Sequence, residues 1–161
     1  MKPRSLAVGA IAGLIATGPM TAVMELSHRR LPIHQQHALP PRKITSRVLA
    51  RAGQHHRLDE EERTALTVGA HFGYGAAMGA LYAPLARALK VPGVLSGIVF
   101  GLIVWLVSYL GLLPALGLFP PPHREARQRN LLMIVAHVVW GAALGSLVQL
   151  EHDGLAEPRR Q

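Results

Sequence analysis

The sequence predicts an all-α, polytopic membrane protein with four transmembrane helices, arranged as two two-helix repeats of parallel topology. Three observations predict this fold class. The 161 residues are 50% hydrophobic and only 16% charged, which is too apolar for an ordinary soluble domain of this length. The apolar residues are concentrated in four long blocks without charged side chains, and a segment that contains histidine and glycine occurs twice. About 20 apolar residues are enough to cross the hydrocarbon core as a helix.

The four apolar blocks define the helices of a single membrane domain over residues 1–161. The blocks are Ser5–Met24, Thr64–Ala86, Gly93–Phe119 and Leu131–Leu150. With flanking residues, they predict helices at about 5–27, 60–89, 93–118 and 130–150. A helix pairs its backbone N–H and C=O groups within one segment, as the lipid interior requires. We expect the first helix to be retained and not removed as a signal peptide, because its apolar run continues to about Leu26.

The basic connection at residues 28–59 precedes the second helix. Asp59 with Glu62 three residues later predicts a capping box at the start of that helix. Four apolar residues share one face of a possible short helix: Ile44, Val48, Leu49 and Ala52. The connection therefore either lies in the lipid headgroup region as an amphipathic helix or forms a solvated basic loop with one helical turn.

The net charge of +8 lies almost wholly in the connections and tails, where it suits anionic headgroups. We expect no nucleic-acid partner, because the basic residues are not interleaved with aromatic residues. The polar tail at 151–161 contains Gly154 and Pro158 and is predicted to be disordered.

The segment His71–Leu81 recurs 66 residues later as His137–Leu147, with six of eleven positions identical. In each half, a helix with glycines four residues apart precedes the histidine helix. Because each unit contains two spans, both units enter the membrane in the same direction, which is a parallel repeat. The sequence therefore predicts an internal duplication.

Glycines at four-residue spacing form a stripe on the second, third and fourth helices. Residues four apart share one helix face, and such small-residue stripes let membrane helices approach closely. The predicted packing residues are Gly75, Gly79, Gly141, Gly145, Gly93, Gly97 and Gly101.

His71 and His137 form the candidate polar site, because an ionisable residue within a membrane helix is a functional candidate. Each imidazole could hydrogen-bond a neighbouring helix and stabilise packing, or both could belong to a proton or ion pathway. A bis-histidine haem or a two-histidine metal site is the third interpretation. The glycine stripes argue against a macrocycle, and a metal site normally has more than two protein ligands. We therefore predict no metal and no cofactor.

Several functional classes lack their sequence signals. With no cysteine, intrachain disulfides, zinc ribbons and iron–sulfur clusters are excluded. There is no nucleophile–base arrangement, phosphate-binding glycine loop or paired intramembrane carboxylate, so we assign no catalytic residue and expect no enzyme activity.

The second half resembles the family of small bacterial inner-membrane proteins typified by YagU, which has unknown function. The resemblance is carried by the segment Leu116–Pro121 followed by His137–Trp140, with His71–Tyr74 similar to the family's earlier histidine helix. The chain departs from the family by its shorter length, its lack of cysteine and the basic run Arg124–Arg129. The resemblance implies a multi-pass protein of the bacterial inner (plasma) membrane and adds no activity.

The leading functional hypothesis is an integral inner-membrane protein with a structural or interaction role, as a homo-oligomer or with a membrane-protein partner. The first alternative is a small proton-coupled transporter or channel with a duplicated histidine at the bundle core. The second is a haem- or metal-binding membrane electron carrier.

Overall fold

The structure is a computed structural model that describes residues 3–54, 56–89 and 91–156, and the regular structure in these ranges is helical. The helices in chain order are α1 (Pro3–His28), a 3-10 turn (Ile33–Gln35), α2 (Pro40–Arg51), α3 (Glu60–Ala86), α4 (Gly93–Leu106), a π-helical segment (Val107–Leu112), α5 (Leu113–Ala115), a second 3-10 turn (Pro122–Arg124) and α6 (Arg127–Ala156). The π segment joins α4 to α5 without a break.

Three helices in the described part of the chain are long and apolar enough to cross a membrane: Pro3–His28, Gly93–Ala115 and Arg127–Gly154. The prediction of four such helices is wrong for α3. This helix has 27 residues, which is sufficient length, but it begins with Glu60, Glu61 and Glu62. Its glycines, threonines, His71 and Tyr74 also lower its hydropathy. The sequence expectation rested on the lack of charge in this block and overlooked its many small and polar residues.

Several helix bounds differ from the predicted ones. The third apolar helix ends at Ala115 instead of residue 118, and α6 begins at Arg127 and continues to Ala156. The prediction of a disordered tail is therefore wrong as far as Ala156, and residues 157–161 lie outside the described residues. A salt bridge joins the end of α6 to the start of α1, with Arg4 Nη2 3.5 Å from Glu151 Oε1.

The predicted capping box is confirmed. The Glu62 backbone N–H donates to Asp59 Oδ1 over 2.8 Å, and the Asp59 backbone N–H donates to Glu62 Oε2 over 2.9 Å. The long connection contains a 12-residue helix, α2, which packs on α3. The structure therefore favours the short-helix interpretation of the connection over the solvated loop.

Helix α6 lies at the centre of the bundle. It packs extensively on α1 and on α4, while α1 packs on α3 along its length. In its apolar stretch 50% of the residues are buried, compared with 33% in that of α1 and 28% in that of Gly93–Ala115. By contrast, α3 makes few contacts with α4 or α6, so the bundle is loosely closed on that side.

Glycines lie at the closest contacts between α1 and α3 and between α4 and α6. A Cβ atom built on Gly13 would lie 2.9 Å from Gly79 Cα, and one built on Gly97 would lie 2.9 Å from Gly145 Cα. Real Cβ atoms do not approach other atoms this closely, so any side chain would force the helices apart. The facing positions are Gly9 with Gly79, Gly13 with Gly75, Gly93 with Gly145, Gly97 with Gly141, and Gly101 with the His137 backbone.

We predict that Gly75→Ala destabilises the bundle and that Gly73→Ala does not. A Cβ on Gly75 would overlap the Thr17 hydroxyl and lie 3.1 Å from the Gly13 carbonyl oxygen, whereas one on Gly73 meets no described atom within 4 Å. Overpacking of this kind costs about 1–3 kcal/mol. Replacing an unconstrained helical glycine by alanine is neutral or stabilises by up to about 1 kcal/mol. Thermal unfolding of both variants in detergent measures the difference, and equal midpoints would contradict the packing assignment.

A cavity between the helices as the candidate functional site

The helices enclose a cavity of about 290 Å³. Its walls come from all six α-helices and the π segment, and most of the lining side chains are apolar. This volume is close to the lower bound of about 300 Å³ for small-molecule pockets in proteins. The polar side chains that line it are Thr17, Thr45, His71, Tyr74, Ser108, Tyr109 and His137.

His137 reaches the cavity from the centre of α6 and is buried. Its Nδ1 atom lies 2.7 Å from the Met133 carbonyl oxygen, one helical turn earlier. A carbonyl only accepts, so Nδ1 carries the proton and donates it. In a neutral imidazole the other nitrogen, Nε2, is then a hydrogen-bond acceptor. The edge of this ring also packs against the Tyr109 ring, with centroids 6.2 Å apart.

His71 lines the same cavity from α3 and is partly buried. Its Nε2 atom is buried and has no hydrogen-bond partner among the described residues. A buried polar atom without a partner costs about 1–3 kcal/mol, so this nitrogen needs a water or ligand atom beside it. The structure thus places both histidines of the candidate polar site at one cavity, although α3 and α6 scarcely contact each other.

The π segment supplies two polar residues that the sequence reasoning missed. Ser108 and Tyr109 are both buried and both line the cavity. Pro114 has no backbone N–H and cannot complete a regular helical turn, so it favours the wider π geometry before it. Proline after a run of apolar residues was the available signal, together with a serine and a tyrosine inside that run. The Ser108 hydroxyl is hydrogen-bonded to the Tyr74 hydroxyl of α3 over 2.9 Å.

Helix α2 closes the cavity at the end of the bundle that carries the connections. Four of its residues line the cavity: Pro40, Pro41, Ile44 and Thr45. The C-terminal end of α2 is held by Arg51, which donates to the carbonyl groups of Leu116 and Gly117. Gly117 has a φ of 61°, a left-handed conformation that favours glycine and turns the chain after α5.

A buried arginine anchors the segment that leads into α2. Arg129, in the first turn of α6, is 5% exposed and donates to three carbonyl oxygens at 2.8, 3.1 and 3.1 Å. Its Nε atom donates to Glu125 Oε2 over 3.0 Å. The three acceptors are the carbonyl groups of Gln35, His37 and Ala38. The connection is therefore fixed to the bundle end by one guanidinium group.

Two further ionisable groups lie at this anchor, outside the helices that could cross a membrane. Lys43 Nζ is 3.7 Å from Glu125 Oε1. Burial lowers the pKa of Lys43, and the Glu125 carboxylate partly offsets this effect. Burial, followed by the positive charge of Arg129, also lowers the pKa of His37. Glu125 is thus shared between a cation on α6 and a cation on α2, and so it joins the two elements.

Metal ligands were not predicted at this site. Within residues 3–54, 56–89 and 91–156, no group of three or more His, Asp or Glu side chains is placed to hold a metal ion. The cavity contributes two imidazoles and several hydroxyl groups, which suit hydrogen bonding and proton exchange.

Comparison with known proteins identifies a family. Residues 30–145 match the profile of a protein family described as a protein of unknown function (DUF1440). The matched region begins before α2 and ends within α6, so it includes both histidines and the π segment. No curated protein and no solved structure matches the chain.

We predict that Arg129→Gln frees the segment before α2, whereas Arg127→Gln has little effect. Arg127 lies two residues earlier on the same helix and is exposed. The substitution leaves Glu125 paired with Lys43 but removes the charged donor from three backbone carbonyls, which costs about 1–3 kcal/mol. Limited proteolysis and thermal unfolding measure the change. The anchor would be disproved if both variants were cleaved before α2 at the wild-type rate.

Proposed function

The chain belongs to the DUF1440 family, and we propose that it is a bacterial inner-membrane protein that binds a small, largely apolar molecule between its helices. The observation that carries this proposal is the cavity of about 290 Å³, whose mainly apolar wall holds His71 and His137. Three helices apolar enough to cross a membrane support the integral-membrane part of the proposal. The resemblance to YagU-like proteins supports the bacterial inner membrane.

The proposed architecture is a duplicated two-helix unit. Helices α1 and α4 present glycines at positions related by an offset of 84, such as Gly13 and Gly97, and α3 and α6 at an offset of 66, such as Gly75 and Gly141. The same glycine-to-glycine contact in both pairs supports the duplication. Because α3 contacts α1 along the glycine stripe, we propose that α3 accompanies α1 through the bilayer and turns its polar face toward the cavity.

The two histidines define which ligand the cavity favours. With Nδ1 bonded to Met133, the His137 ring offers Nε2 as an acceptor in its neutral form, and the buried His71 Nε2 has no partner among the described residues. A ligand hydroxyl can donate to one nitrogen and accept from the other. The apolar wall would hold the rest of the molecule. A purely structural role leaves both the cavity and the unpartnered nitrogen unexplained, which is why we favour binding over packing alone.

The surface of the end that carries the connections supports a contact with anionic headgroups. Seven arginines of this end are exposed: Arg29, Arg30, Arg47, Arg51, Arg57, Arg124 and Arg127. Near an anionic membrane surface each such charge contributes about 1 kcal/mol to attraction. We propose that this end lies at the headgroups and that the cavity lies just below it. Association with a second copy or another membrane protein stays a proposal.

We predict that 1-naphthol raises the thermal unfolding temperature of the protein in detergent and that naphthalene, which lacks the hydroxyl, raises it less. A ligand at 100 times its Kd adds about 2.7 kcal/mol to the free energy of unfolding. Val104→Phe should abolish the effect, because Val104 is buried at the cavity wall. His137→Phe should remove the difference between the two compounds.

The matched control is Val99→Phe, on the same helix but 49% exposed and away from the cavity. It should keep the full response to 1-naphthol. Equal responses of Val99→Phe and Val104→Phe would show that the compound acts through the detergent, and the binding proposal would then fail.

A second candidate is a small proton-coupled transporter. His71 and His137 lining one cavity favours it, together with the hydroxyl groups of Tyr74 and Ser108 beside them. This function predicts that vesicles containing the protein dissipate a pH gradient and that His71→Asn and His137→Asn fold normally but stop the flux. Absence of flux in wild-type vesicles would leave the binding role.

Metal content and an absorption spectrum of the same preparation test the electron-carrier alternative, which requires stoichiometric metal or haem.

A further inference from the structure

The cavity opens sideways between α3 and the π segment. Among the described residues that line it, three are exposed on the outer surface: Ala70, Tyr74 and Leu112. Tyr74 is 43% exposed and Leu112 is 50% exposed. Side chains that line a cavity and also reach the outer surface mark its mouth. We refer to these three residues as the lateral opening.

The bundle is open here because α3 and α4 pack together only at the opposite end of their interface. There, Tyr82 is 1% exposed, and its hydroxyl is hydrogen-bonded to Ser96 Oγ over 2.7 Å. At the lateral opening, one hydrogen bond between Tyr74 and Ser108 joins α3 to the π segment that continues α4. The α1–α6 interface, which the proposed duplication makes equivalent, is closely packed, and Trp140 Nε1 donates there to the Gly13 carbonyl over 3.3 Å.

Large apolar side chains are exposed on the two elements that border the lateral opening. Leu66 on α3 is 46% exposed, and Val107 and Leu110 of the π segment are 59% and 56% exposed. The π segment belongs to a helix that is apolar enough to cross a membrane. The end of the bundle that carries the connections is covered by α2, which the Arg129 anchor holds in place. An apolar rim of this kind suits contact with acyl chains better than contact with water.

We propose that the lateral opening admits a lipid-soluble molecule from the hydrocarbon core of the bilayer directly to the two histidines. This inference rests on the proposed binding function and adds the source of the ligand. The Tyr74–Ser108 hydrogen bond lies at the edge of the route, so a molecule that separates α3 from the π segment breaks one neutral hydrogen bond. The net contribution of such a bond is about 1 kcal/mol, which is a small barrier to opening.

Fluorescence quenching of Trp140 tests the route without knowledge of the natural ligand. Trp140 lines the cavity and is 3% exposed, and the chain has only one other tryptophan, Trp105. In phosphatidylcholine vesicles, the Trp105→Phe protein should be quenched by membrane-dissolved 1-bromohexane and not by aqueous iodide. Adding Ala70→Phe, which obstructs the lateral opening, should at least halve the quenching constant of 1-bromohexane.

The matched control is Ala77→Phe. Ala77 is also exposed on α3, lies seven residues further and within about 20° of the same face, and does not line the cavity. It should leave quenching unchanged. Iodide quenching that exceeds 1-bromohexane quenching, or equal quenching in the Ala70→Phe and Ala77→Phe proteins, would overturn lateral access.

Two further measurements keep the test decisive. Circular dichroism verifies folding, and if Trp105→Phe does not fold, the Trp105→Tyr background replaces it. The naphthol response in detergent is independent of the route. If that response persists while lateral access fails, the binding function stands and only the source of the ligand is wrong. If the response is absent, the binding function itself fails.

Discussion

Backbone contact between glycines is the constraint on which the rest of the structure depends. In lipid there is no hydrophobic force to bring apolar helices together, so close van der Waals packing must do so. At Gly13 with Gly79 and at Gly97 with Gly145, the backbones approach too closely for any side chain. These contacts fix the position of each helix along the axis of its partner. Each histidine lies four residues before the first glycine of its stripe, so its height in the bundle is fixed too.

The cavity follows from a difference between the two halves of the bundle. Trp140 fills the space between α6 and α1, where its indole reaches the Gly13 carbonyl. Tyr74 occupies the corresponding position of α3 in the sequence repeat, but it lies at the outer edge and reaches Ser108 of the π segment instead. The Tyr74 ring is smaller than the Trp140 ring, and the π segment is wider than an α-helix. Together they leave a space between α3 and the π segment, whereas Trp140 fills the corresponding space between α1 and α6. Under the proposed duplication, divergence of a few side chains is enough to turn a packing interface into a pocket.

Part of this arrangement could be predicted from the sequence, because it depends on local patterns. The capping box and the helical content are properties of residues close together in the chain, and the recurring histidine segment is visible when two stretches of the sequence are compared directly. The hydropathy of α3 was misjudged for a different reason: a block without charges still contains glycine, threonine, tyrosine and histidine. The π segment and its buried Ser108 also escaped prediction, because the pairing of Ser108 with Tyr74 joins residues 34 apart in sequence.

Arg129 is the clearest case of a residue whose structural role cannot be predicted from composition. From sequence, this arginine belongs to a basic run that suits headgroups, yet its guanidinium is buried and bound to three backbone carbonyls. Nothing in the local pattern separates it from the exposed Arg127 two residues earlier. The consequence reaches the cavity, because those carbonyls belong to the segment that leads into α2. One buried cation thus closes the polar end of the bundle. With that end covered, the proposed route to His71 and His137 is the apolar side, where α3 and the π segment meet.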